Sequence, residues 1–378
     1  MKHLALIVVG IAASFFVDVS GAFQLKSVRE FQSLITRPFQ SRLNGPSTLL
    51  VQCSSALNIA QPWNAPRSVW SLAWSLQRAV IPLLHYFDKC AAKDTNLNLA
   101  VLWWKAISGN RFGSSTFDGF FAYDLLPHIT RIIVGFPFCW MYPNLHHQNV
   151  ALRTAFLDLS LLQALRSHRN SSTNSPVASI PAGMDLTPRV ITLGAGFDTR
   201  SLRFQNAGDV NKNSEKKMTA DFHELDLPTV VAQKTNVFKR FLLRRPNSKM
   251  PKLYGADLNN LEEVNRQLMK IFSDDKPANG MSNKRPTVFI VEAVLMYLKE
   301  ENVMPLLRMC MLKAAKHSSS VQLCFADRLP GMPYNDTDLD IEKKAAVDLL
   351  RTVGLDLKTW QPKPGRARHM GIAEFTVA

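Results

Sequence analysis

This 378-residue chain lacks the spacings that would set up a disulfide framework or a zinc site. Its five cysteines, Cys53, Cys90, Cys139, Cys310 and Cys324, are odd in number, far apart and mostly set among apolar neighbours, which is the pattern of reduced, buried thiols. Neither Cys-x-x-Cys nor His-Glu-x-x-His occurs, and in the single histidine pair, His146-His147, adjacent side chains point in different directions on a helix or a strand alike. No metal site is expected. The net charge of +15 would attract phosphates, yet no basic stripe interleaved with stacking aromatics is present. Basic residues are spread along the chain with short clusters at Lys216-Lys217, Lys239-Arg240 and Arg244-Arg245, so a solvated basic surface and no nucleic-acid partner are expected. A bilayer-spanning run is missing too. Leu4 to Phe16 is too short, and Ile129 to Tyr142 is interrupted by Gly135 and Pro137 and followed by Pro143, so no stable membrane span is expected in the mature chain.

What is present is the balance of a globular protein, 46% hydrophobic and 20% charged. Lys2 and His3 precede the apolar run, Asp18 closes it, and Ser20-Gly21-Ala22 offers a cleavage point, so residues 1–22 read as a signal peptide. A membrane anchor is the alternative. Residues 23–62 are rich in Ser, Thr, Gln and Asn, carry Lys26, Arg29, Arg37 and Arg42, and hold Glu30 as their only acid, the composition of a transit-like disordered leader. The join Ser20-Gly21-Ala22-Phe23 resembles the bipartite leader of proteins sent to complex plastids in diatom-like algae. The expected route is therefore entry into the secretory pathway and onward transfer to such a plastid, with secretion or membrane anchoring as the alternative. Two sequons, at Asn170 and Asn335, would meet glycosylation if the chain were secreted.

Residues 63–148 form a Trp- and Leu-rich region. Val69, Leu72, Ala73, Leu76, Val80 and Leu83 follow helical spacing and Leu99 to Ile107 continues it, which predicts amphipathic helices packed on the main domain. After Pro143-Asn144, the residues Val150, Phe156, Leu159, Leu162 and Leu165 predict another helix, with Arg153, Thr154 and Asp158 on or beside its polar side. Arg153 is either a surface cation or a fork for a ligand carboxylate. A Ser/Pro/Gly-rich linker, residues 170–185, then leads to the stretch PRVITLGAGFDTRSLRF, residues 188–204, where a buried strand runs into Gly194-Ala195-Gly196 and a helix. Glycine there allows close backbone approach and a positive φ, although a Gly-x-Gly between strand and helix is also met as a plain tight connection.

Downstream, strands are expected near Val190–Leu193, Ala220–Leu225, Leu253–Ala256, Thr287–Glu292 and Val321–Ala326, alternating with helices near Pro228–Leu243, Leu261–Phe272, Glu300–Lys316 and Asp340–Val353. This alternation predicts an α/β, doubly wound parallel sheet with its ligand beyond the carboxyl ends of the strands. Acids fall at those ends: Asp226, Asp257, Glu292 and Asp327. A dinucleotide fingerprint would place a third glycine where Thr199 stands, and Asp198 would repel a pyrophosphate. S-adenosylmethionine has no phosphate. Its amine and ribose diol suit carboxylates, its carboxylate suits an arginine, and a glycine turn suits close approach.

LGAGFDTRSLRF, with HELDLPTVVAQK, GADLNNL and FIVEAVLMYLKEE after it and ALRTAFLD before it, resembles the leucine carboxyl methyltransferase family of S-adenosylmethionine-dependent methyltransferases. The resemblance spans about Asn149 to Met311. It implies a Rossmann-like class I methyltransferase sheet over residues 149–378, with extra N-terminal helices. Residue by residue it implies that Arg153 meets the methionine carboxylate, that Gly194, Ala195, Gly196 and Asp198 surround the methionine and amine, and that Asp226 takes the ribose hydroxyls. Asp257 and Leu258 would hold adenine, and Glu292 would lie beside the substrate pocket. Asp226 could equally be the N-cap of the helix opened by Pro228.

This chain has Ala293 where many relatives have Gly, and the part after Asp327 matches the family poorly. The implied reaction is in-line methyl transfer to an oxygen of a small-molecule or peptide acceptor, carboxylate or hydroxyl. A carboxylate is already ionised at neutral pH, whereas a hydroxyl would need a base such as Glu292, and Tyr297 could line the pocket. Alternatives are a non-catalytic adenosylmethionine-fold binding protein and an NAD(P)-type oxidoreductase.

Overall fold

The computed structural model describes residues 101–102, 104–106, 119–126, 150, 153–165, 187–206, 220–273, 284–332, 339–361 and 369–376. The expected signal peptide and leader, the helices expected between 67 and 100, both sequons, and Cys53, Cys90, Cys139 and His146-His147 lie outside them.

Apolar runs short enough for strands alternate with segments of helical period. In chain order come α1 (Gly119–Leu125), α2 (helical residues 153–165), β1 (Arg189–Leu193), α3 (Arg200–Asn206), β2 (Asp221–Asp226) and α4 (Pro228–Arg244). Next are β3 (Lys252–Gly255), α5 (Leu261–Ser273), β4 (Arg285–Glu292), a 3-10 turn (Leu295–Tyr297) and α6 (Glu300–His317). The chain finishes with β5 (Ser318–Asp327), α7 (Leu339–Arg351), β6 (Leu355–Gln361) and β7 (His369–Phe375).

The strand order is β3-β2-β1-β4-β5-β7-β6. The five expected strands pair in parallel, with Val190 opposite Phe222 and Val288. The expectation of a wholly parallel sheet is corrected at one edge, where β7 runs antiparallel to both β5 and β6. β7 returns antiparallel to β6 with no helix between them and so escapes the strand-helix alternation, whereas β6 follows α7. The result is a doubly wound α/β sheet with one antiparallel strand near its edge.

Period-2 alternation splits each central strand between two layers. Ile191, Leu193, Phe289, Val291, Leu323 and Phe325 pack with Val264 and Leu268 of α5, Leu306 and Leu307 of α6, and Ala346 and Leu350 of α7. Val190, Phe222, Val288, Ile290 and Cys324 pack on the other side with Phe156, Leu157 and Leu161 of α2. Every residue of β1 is buried, as a strand covered on both faces requires. A third cluster joins Leu102, Trp104 and Ala106, with Ala122 and Leu125 of α1, to Phe197, Leu202, Phe238 and Phe241. Asp124 accepts from Arg244 Nη2 through its carbonyl and pairs with Arg245 through its carboxylate, while the Arg245 guanidinium lies over Phe121 and Phe241. Part of that basic cluster therefore docks the N-terminal helices. Cys310 and Cys324 are buried thiols whose pKa burial pushes up to about 12.

Candidate active site

The order of strands reverses direction between β1 and β4, and the loops leaving their carboxyl ends define the crevice where α/β sheets bind ligands. Gly194 and Gly196 leave β1 at φ +63° and +45°, a left-handed backbone that only glycine adopts without cost. Gly194 N–H donates to Leu225 O at 2.8 Å, and Asp198 N–H returns to Ala195 O at 2.8 Å, closing the turn before α3. A Cβ on Gly194 would collide with the side chain of Val294. The glycine thus serves packing against the loop after β4, a reason beyond the ligand approach that the sequence suggested.

Asp226, at the end of β2, accepts Gly196 N–H on Oδ2 at 2.6 Å and Leu227 N–H on Oδ1 at 2.7 Å. It is not the N-cap of α4. Leu227 occupies that position, with Pro228 opening the helix. Burial raises the Asp226 pKa, opposed by the two amides and by Lys234. Asp257, beyond β3, accepts the Asn259 backbone N–H at 2.9 Å and donates its own N–H to Glu263, while Leu258 beside it is buried.

The polar centre of the crevice is an ion network that the sequence reading only half located. Arg153, 5% exposed, is no surface cation. Its Nε donates to Glu292 Oε1 at 2.5 Å, and its two Nη groups have no partner among the described residues. Arg200 is the hub: Nε meets Asp158 Oδ1 at 2.8 Å, and Nη1 meets Asp198 Oδ2 at 2.7 Å and Glu292 Oε2 at 2.6 Å. Arg203 takes both oxygens of Asp158 at 2.6 and 2.9 Å. Lys105 Nζ lies 3.6 Å from Asp198 Oδ1 and is itself buried. Lys105, Arg200 and Asp158 were missed as site residues. Arg200 was legible only as part of the quoted block, and Lys105 had no signal, since a single lysine in an apolar helix gives none until folding carries it to the turn.

Burial by itself would raise the Asp198 carboxyl, but Arg200 and then Lys105 override it and hold it far below the usual carboxylate range. Burial opposes ionisation of Glu292 as well, and Arg200, Lys105 and Arg153 pull it down to about 2. Tyr297, in the loop after β4, is more than half exposed, and partial desolvation, with Asp327 adding to it and Arg153 opposing, raises its pKa. The chain therefore brings Arg153, Asp198, Glu292, Gly194, Gly196 and Asp226 to one edge of the sheet. Asp257 and Leu258 join it from β3 across the chain of bonds Asp257–Asn259–Lys299.

The family model for leucine carboxyl methyltransferase matches residues 143–311. That stretch is leucine carboxyl methyltransferase-like. Leucine carboxyl methyltransferase 1 of Rattus norvegicus is 28% identical over 138 residues, which cover 32% of this chain and 37% of that protein. The chain thus spans little more than a third of the length of the curated relative it matches. Among solved structures, magnesium protoporphyrin IX methyltransferase from Synechocystis PCC 6803 with bound SAM is 11% identical at a TM-score of 0.34, covering 62% of this chain and 85% of that one. The pyocyanin biosynthetic protein PhzM is 13% identical at a TM-score of 0.33, covering 80% and 100%. The leucine carboxyl methyltransferase-like stretch contains Arg153, the glycine turn, Asp226, Asp257 and Glu292, begins after Lys105 and ends before Asp327.

Proposed function

We propose that this chain is an S-adenosylmethionine-dependent O-methyltransferase acting on a carboxylate oxygen of a small-molecule or peptide acceptor. The cofactor reading rests on the donor set. Arg153 keeps two Nη groups without a partner among the described residues, matching the fork that a carboxylate takes. Asp226 stands at the end of β2, where the lone pairs left by its two amide bonds can accept ribose hydroxyls. Asp198 offers a firmly ionised carboxylate for the amine, and the positive-φ glycines let the backbone come close. When bound, the cofactor supplies the electrophilic methyl on its sulfonium.

The observation that carries the carboxylate acceptor is the low pKa of Glu292. A carboxyl held at about 2 is too weak a base to draw a proton from a hydroxyl, and the Tyr297 hydroxyl, with its pKa raised, stays protonated at neutral pH. With neither of these two residues a base, an acceptor that arrives ionised, as a carboxylate does, fits the described site best. Glu292, with Arg153 and Arg200 fixed on its two oxygens, orients the cations at the head of the crevice. The protein's work is alignment.

The test is transfer of labelled methyl from S-adenosylmethionine into a fractionated extract. A methyl ester releases its label as volatile methanol in mild base. Base-stable label would replace the carboxylate with a hydroxyl acceptor, and cofactor binding without any transfer would favour the non-catalytic binding protein.

A further inference from the structure

Asp327 ends β5 and lies outside the leucine carboxyl methyltransferase-like stretch, yet its carboxylate is spent on the loop that follows β4. Oδ2 accepts the N–H of Val294 at 2.5 Å and of Leu295 at 2.8 Å, while Oδ1 accepts from Arg328 at 2.7 Å and, more weakly, from Met296 at 3.4 Å. The amides of Val294, Leu295 and Met296 open the 3-10 turn Leu295–Tyr297 and would otherwise lack partners at a helix start. The side chain is fully enclosed, at 0% exposure.

The loop so held is an unusual one. Ala293 sits at φ +53°, a left-handed conformation costing a non-glycine residue about 1–2 kcal/mol. Such a backbone persists only where neighbouring bonds fix it. On one side it adjoins Glu292, which carries Arg153 and Arg200. On the other it leads to Tyr297. Its Lys299 N–H is bonded to Asn259 Oδ1 at 2.9 Å, and Glu300 Oε1 accepts Gly331 N–H at 2.9 Å, so the segment is joined to the exits of both β3 and β5.

We propose that Asp327 is a positioning residue for the methyl-transfer site, holding residues 292–297 in the conformation that presents Glu292 to Arg153 and Arg200. The proposal rests on the methyltransferase reading above. Asp327 touches neither cofactor nor acceptor. It acts through the backbone of Val294 and Leu295. An uncharged amide in its place loses an acceptor atom and points an N–H₂ group at backbone N–H groups, so the loop relaxes and the arginine geometry with it.

Asp327→Asn tests this in the full-length chain, with hydrogen exchange at residues 294–296 and calorimetric titration with S-adenosylmethionine well below the melting temperature. Faster exchange confined to those amides is expected, with the cofactor Kd raised about tenfold. Ile271→Val, which trims the core away from the site, serves as the control: it loses stability with Kd unchanged. Wild-type exchange at 294–296, or an unchanged Kd in folded Asp327→Asn, overturns the proposal. Asp327→Ser, which keeps one acceptor oxygen, carries the same outcomes if the Asn variant does not fold. Wild type is titrated first. Its failure to bind S-adenosylmethionine sinks the methyltransferase reading itself, and the positioning role falls with it, whereas binding by wild type with no effect in the variants removes only Asp327.

Discussion

Arg200 reaches Glu292 from its Nη1 at 2.6 Å, tying the helix after the glycine turn to the end of β4 across 92 residues of sequence. The same nitrogen meets Asp198 at 2.7 Å, and Nε meets Asp158. Replacing Arg200 with Met would leave three buried carboxylates short of a cation. A loss of about 3–5 kcal/mol in urea unfolding is expected. A loss below about 1 kcal/mol would show that the network is worth no more than a surface pair.

Arg153→Ala should behave differently. Glu292 retains Arg200, so stability falls by less than in the Arg200 variant, while affinity for S-adenosylmethionine drops markedly because the carboxylate fork is gone. Asp226→Ala should likewise weaken the cofactor more than the fold. Calorimetric titration measures both, and wild-type affinity in either variant removes that residue from the site.

Gly194→Ala combines two faults: a positive φ of +63° and a collision with Val294. The first costs about 1–2 kcal/mol, and the second adds an overpacking cost of about 1–3 kcal/mol. Pairing it with Val294→Ala should recover only the packing part. Full recovery of the thermal midpoint in the double variant would mean that φ strain contributes nothing.

The converse holds at Ala293. Glycine there removes the left-handed strain but adds chain entropy to the unfolded state, so Ala293→Gly should be stabilising by up to about 1 kcal/mol. A lower melting temperature in that variant would contradict the reading of φ +53° as strained.

The pH dependence of stability follows from Glu292. Its folded pKa lies at about 2, below the ordinary 4.5, because Arg200, Lys105 and Arg153 outweigh burial. A depressed carboxyl stabilises the fold above the unfolded pKa and loses that contribution as pH falls toward the folded one. Between pH 4.5 and about 2, wild type should therefore lose more stability than Glu292→Gln. Parallel curves of urea midpoint against pH for the two proteins would refute this.

Much of the fold was legible because a buried parallel strand has to be a short apolar run and its helix an amphipathic one. All five parallel strands and the helices α4 to α7 lie within a few residues of where the apolar runs and the helical period place them. The antiparallel β6 and β7 were not read, since β6, LDLKTWQ, is a half-exposed edge strand and β7, HMGIAEF, follows it without a crossover helix. The helix around α2 was read in part, since Val150, Phe156 and Leu165 are buried as expected. Leu157 and Leu161 are buried where Leu159 and Leu162 were expected to lead, and Arg153 and Asp158 are buried with them, because polar side chains paired with one another can line a core.

By itself the sequence determined the alternation of strand and helix, the glycine turn after β1 and the row of acids at the strand ends. Those are local properties, set by side-chain period and by backbone freedom. Which charges meet was decided only by the tertiary structure. Asp158, Asp198, Arg200 and Glu292 come from α2, the β1 turn, α3 and β4, and nothing in their spacing says that one guanidinium will bridge the three carboxylates. Glu292 as a strand-end acid was written in the chain, but its weakness as a base comes from the cations that the sheet order packs around it.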